Sequence, residues 1–223
     1  NSNINSKATR GCNRLSFRAI QVALGNARAR LNDPAARARF SLAQLEREVG
    51  YAEAFASQFE SAGNKVKVTD VTQRRYVEHM KNLSERHPDD LDAATLYADA
   101  LLNVTPWKWW SGTASTGNDV KATPEAETAM QVINWVLIQN PRHSGANHFY
   151  IHAIEQSPFS ESGQVVADRL PKLAPASGHY VHMSAHIYQR VGDNAAASAA
   201  NYQAVSIDRA LVNQSQGDSL YPL

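Results

Sequence analysis

From Pro88 the chain reads PDDLDAATLYADALL, with Ala94, Tyr97, Ala98 and Leu101 at the i, i+3, i+4, i+7 spacing of one helix face. This pattern dominates. Alanine-rich stretches are frequent, β-branched runs are few and hairpin signals are lacking, so the chain reads as helix almost throughout. The spacing predicts helices near 13–31, 34–49, 51–62, 70–87, 91–104, 124–140, 145–157, 161–173, 178–191 and 194–214. Several starts carry their own chemistry. Asp33-Pro34 and Thr123-Pro124 place a capping oxygen before a proline that suits the first helical position. Asp70 opens a helix in the same way, and Gly50 is expected to stop one.

The helices recur with a period. Pro141 precedes His148 and His152 by the same intervals at which Pro175 precedes His182 and His186, an offset of 34 residues. That is the tetratricopeptide period. Pro88 opens an earlier copy, stretched by TPWKWWSGTASTGNDVKAT (105–123) between its two helices. The expected fold is therefore all-α: a tetratricopeptide-like array of stacked antiparallel helix pairs, an α-α superhelix. A single domain over 1–223 is expected, with irregular helices at 1–87 and three repeats at 88–214.

The repeat frame gives the histidines a direction. Positions 4, 7, 8 and 11 of a first helix pack inward, whereas 2, 5, 9 and 12 face the concave groove. Gly145, His148, His152 and Glu155 take the groove positions in one repeat; His179, His182, His186 and Gln189 take them in the next. At about 100° per residue each set shares one helix face. In the earlier repeat Thr95 and Asp99 hold the matching places, so Asp99, His152 and His186 should form a row across the groove. His148, His152, Glu155, His179, His182 and His186 are thus candidate metal ligands, enough for one or two ions. Imidazoles with few carboxylates and no thiolate suit copper or iron best, with zinc as the other choice, and argue against calcium or magnesium. Glu155 follows His152 by three residues, so neither HExxH nor the di-iron Glu-x-x-His order is matched.

Composition narrows the partners. Twenty-two Lys and Arg against 21 Asp and Glu leave a formal charge of +1 with no basic face, which excludes nucleic acid as a partner. No apolar run approaches the roughly 20 residues that span a bilayer. One cysteine, Cys12, permits neither an internal disulfide nor a cysteine zinc knuckle. A chain starting at Asn1 fits either the bacterial cytoplasm or the periplasm, and nothing specifies an oligomeric state.

Other candidate chemistry is thin. Ser144 and Ser184 lie near histidines without a nucleophile elbow, and no glycine-rich phosphate loop occurs. His79 and His87 read as core residues, as do Tyr150 and Tyr188. His143 reads as an exposed loop residue or an extra ligand. Trp107, Trp109 and Trp110 would make an aromatic lid over the groove or a hydrophobic plug.

HPDDLDAATLYADALLNVTPWKWW, PRHSGANHFYIHAIEQSP and GHYVHMSAHIYQRVGD together resemble a family of bacterial tetratricopeptide-repeat proteins, largely uncharacterised, with NHxYIHAxE and GHxxHMxxHIYxRVG motifs. The resemblance spans roughly residues 76 to 210. It implies a helical-repeat fold and points to the same five histidines and Glu155, but it implies no activity. Two departures stand out: LYADA replaces an expected LYAEA, shortening the carboxylate at Asp99, and this chain ends at LYPL where relatives run on to a further His-Asn pair.

The function expected is a metal-dependent enzyme acting on a small organic molecule in the groove. Copper or iron would make it an oxygen-dependent oxidase. Zinc would make it a hydrolase, with Glu155 or Asp99 as general base. The alternative is a non-catalytic tetratricopeptide-repeat module that binds a peptide or protein there, or a metal storage or delivery protein.

Overall fold

A computed structural model describes residues 14–62, 65–111 and 120–214. Cys12, the middle of the insertion and the LYPL end lie outside the described residues. The chain forms two compact units, 1–104 and 105–223, which divide at the head of the insertion.

The first unit contains α1 (Arg14–Asn32), α2 (Pro34–Arg39), α3 (Leu42–Ser57), α4 (Asp70–Arg86) and α5 (Leu91–Leu102). Asp33 caps α2 ahead of Pro34, as expected. The boundary expected at Gly50 is wrong. The break comes at Phe40, which is extended, and Ser41 then opens α3 in a capping box with Gln44. Gly50 lies inside α3, buried against α4. A β-carbon there would stand 2.4 Å from Leu83 Cδ1, so the glycine is a close-approach residue between two helices. Ala54, Tyr76, Met80, Leu83, Ala93 and Ala100 form the core where α3, α4 and α5 meet. A short antiparallel pair, β1 (Glu60–Ala62) and β2 (Lys65–Lys67), also departs from the all-helix expectation.

The second unit begins with another short antiparallel pair, β3 (Trp110–Ser111) and β4 (Lys121–Ala122), formed by the two ends of the insertion. Thr123 then caps α6 (Pro124–Gln139). There follow α7 (Ser144–Ile154), a 3-10 turn (Ser160–Gly163), α8 (Gln164–Leu173), α9 (Gly178–Arg190) and α10 (Asn194–Gln214). α7 and α9 begin 34 positions apart, in step with the sequence repeat. α8 packs against both α7 and α9, and α10 packs along α9. On the inward faces Ile151, Ile154, Val181, Ala185 and Ile187 are buried, whereas Tyr150 and Tyr188 are only half-buried.

Pro171, inside α8, explains a buried polar contact. It has no N–H for the carbonyl four residues back, that of Ala167. The Ser184 hydroxyl on α9 donates to that carbonyl at 2.6 Å, so the two helices are joined where the proline leaves an acceptor. Among the described residues no helix is long and apolar enough to cross a membrane.

Candidate functional site

α7 starts at a side-chain cap: His143 Nδ1 accepts from the Ala146 N–H at 3.2 Å. This makes His143 an N-cap with its Nδ1 unprotonated. Behind it Asn147 is fully buried, its Nδ2 donating to the Pro141 and His143 carbonyls at 3.0 and 2.8 Å. With the entry turn fixed, one α7 face presents His148 and His152, and the helix ends on Glu155. α9, capped by Ser177 and packed beside α7, presents His179, His182 and His186.

These side chains meet. His148 Nε2 and His179 Nε2 are 2.9 Å apart, and one ring nitrogen from each of His148, His152 and His179 lies within 4.8 Å of the others. His182 Nε2 and His186 Nε2 form a second pair at 3.1 Å. Glu155, only 5% exposed, lies between the two groups. Its Oε1 is 3.3 Å from His152 Nδ1, and its Oε2 accepts from His186 Nδ1. His182 Nδ1 meets Asn201 Oδ1 on α10 at 2.7 Å. Asp99 belongs to the first unit, where Asn103 donates to its Oδ1 at 2.9 Å.

The local electrostatics favour the neutral form of His148 and His179 and the ionised form of Glu155. Burial, reinforced by neighbouring His152, His179 and His186, pushes the His148 imidazolium down to about 3. His179 is lowered too, first by desolvation and then by its histidine neighbours. Burial alone would raise Glu155, but the hydrogen bonds from His152 and His186 outweigh it and hold the carboxyl at about 2.

Aromatic residues frame the cluster. Tyr180 stacks on His148 with centroids 5.1 Å apart. Trp107 sets its ring edge-on to His152 at 5.8 Å and leans on Trp109. Trp107 adopts a left-handed φ of 65°, a conformation a bulky residue takes only when its surroundings hold it there. Trp110 Nε1 donates to the Ala153 carbonyl at 2.8 Å, tying the insertion to α7. Trp109 is buried, whereas Trp107 is partly exposed and adjoins His152. An open cavity of about 340 Å³ adjoins the site, lined by His179, His182, Asn201 and Asp208.

Asn201, Tyr180 and Asn147 escaped sequence reasoning. Asn201 lies 19 residues beyond His182 on another helix, and only the folded pairing of α9 and α10 brings them together.

No family model matches the chain, and no curated protein does. Solved structures do. The chain is similar to MamA RS-1 ArsTM double mutant with a TM-score of 0.54 and 16% identity, over 94% of this chain and 93% of that one. It is similar to MamA MSR-1 C2 with a TM-score of 0.50 and 14% identity, over 87% and 96%. The fold is tetratricopeptide-like. At such identities the likeness speaks for architecture alone.

Proposed function

We propose that the chain is a non-catalytic binding module on a tetratricopeptide-like scaffold, and that the shared histidine face of α7 and α9 takes a transition-metal ion. The supporting observation is the approach of Nε2 atoms in pairs, 2.9 and 3.1 Å apart. His186 donates its Nδ1 proton to Glu155, and His182 donates its own to Asn201. With both Nδ1 protons committed, the facing Nε2 atoms are joined either by a shared proton or by a metal cation between them. Two nitrogens on one ion at about 2.0–2.1 Å are about 2.9–3.4 Å apart, which matches both pairs. A carboxylate on the far nitrogen of a ligating imidazole is the usual way such rings are oriented. The donor set suits copper, zinc or iron. Helical-repeat arrays offer extended surfaces for ligands, so a protein partner for the loaded module is consistent with the scaffold.

The test is calorimetric titration of tag-free protein with Cu(II) and Zn(II). Near-stoichiometric uptake, lost in a His152→Ala/His186→Ala double variant that stays folded, is expected. Folded protein that takes up neither ion refutes the proposal. A second reading, a metal-dependent oxidase, draws on the cavity beside His179 and His182, which has room for a small organic molecule. Oxygen consumption by copper- or iron-loaded protein with small phenols or amines, abolished in the same double variant, would favour it.

A further inference from the structure

The five histidines are not one evenly spaced cluster. His148 lies with its ring centroid 4.8 Å from His152 and 4.9 Å from His179, and His182 lies 4.8 Å from His186. His152 and His179, 6.4 Å apart, are joined through His148, and the spacings His152–His186 and His179–His182 are 6.0 and 6.5 Å. What divides the five is therefore their nitrogens: those of His148, His152 and His179 converge within 4.8 Å, and His182 Nε2 meets His186 Nε2 at 3.1 Å. One residue touches a member of each group. Glu155 meets His152 with one carboxylate oxygen and His186 with the other, both through Nδ1. A carboxylate only accepts, so both rings must carry the proton on Nδ1 and leave Nε2 for a ligand.

We propose that the face holds two separate metal sites, a three-nitrogen site at His148, His152 and His179 and a two-nitrogen site at His182 and His186. Glu155 binds neither ion and acts as the positioning residue that couples them. Asn201 is a second positioning residue, specific to the two-nitrogen site, because its side-chain oxygen fixes the proton of His182 on Nδ1. This rests on the metal-binding reading above and divides its ligands. More donors make the first site the tighter one. Loss of an orienting partner typically weakens metal binding about 10- to 100-fold.

The experiment is a competition titration of the tag-free full chain with Zn(II) against a chromophoric chelator, with circular dichroism confirming the fold of each variant. Two equivalents of unequal affinity are expected. His148→Ala should remove or weaken the tighter equivalent, and His182→Ala the weaker. Glu155→Ala should weaken both by about 10- to 100-fold. Asn201→Ala should weaken only the second, whereas Asn201→Asp, which keeps an acceptor, should preserve it. A single equivalent, or a Glu155→Ala effect confined to one equivalent, overturns the two-site proposal while leaving the metal-binding reading standing. Absence of zinc uptake in the folded parent overturns both. Should Glu155→Ala fail to fold, the two histidine variants still decide the number of sites: if both weaken the same equivalent, there is one site.

Discussion

α9 carries polar side chains on opposite faces, and the two faces treat them differently. On the inward face Ser184 is fully buried and spends its hydroxyl on one acceptor, the Ala167 carbonyl that Pro171 leaves unpaired. On the other face His179, His182 and His186 remain partly accessible and turn their nitrogens toward other imidazoles, Glu155 or Asn201. The inward polar group completes the fold. The outward ones bring ring nitrogens together, in place of the favourable packing that apolar residues would give. A packed face and a histidine-bearing face thus share one 13-residue helix.

The sharpest way to break this contrast is to make the inward face pay less than it should. Ile187 is fully buried, and Ile187→Ala should cost about 2–5 kcal/mol in urea unfolding. Zinc affinity under native conditions should change little. Ser184→Ala leaves the Ala167 carbonyl without its donor and should cost about 1–3 kcal/mol by the same measurement. A loss of metal affinity without loss of stability in either variant would erase the distinction between the faces.

Acid should act through the histidine cluster, at its α7 side. In the folded, metal-free protein His148 is held neutral to about pH 3, whereas in the unfolded chain it protonates near 6.5. A depressed imidazole contributes its full stability above pH 6.5 and loses it as the pH falls toward 3, with a slope of up to about 1.4 kcal/mol per pH unit. Glu155, held at about 2, adds loss of the same sign as the pH drops below its ordinary value of 4.5. Urea midpoints measured between pH 7 and pH 5 should therefore fall, and His148→Gln should flatten that dependence.

The residues that sequence reasoning located share a reason, and so do those it missed. The starts of α7 and α9 and their histidine faces follow a 34-residue offset, which translates directly into neighbouring helices. Helix α3 was mis-bounded because Gly50 resembles a stop, whereas its role is contact with Leu83, a residue 33 positions away. The Ser41–Gln44 capping box, a true local signal, marks the actual start. Glu155 was legible as a groove residue, but its use of both oxygens on Nδ1 atoms depends on rotamers that spacing does not specify. Asn201 and the strained Trp107 reach the site from other segments, α10 and the insertion.

The most direct test of the central claim is X-ray absorption on the tag-free protein loaded with copper or zinc. Imidazole nitrogens at about 2.0–2.1 Å, lost or replaced by oxygen in the His152→Ala/His186→Ala double variant, are the predicted result. An oxygen-only shell, or a spectrum unchanged by that double substitution, would contradict it.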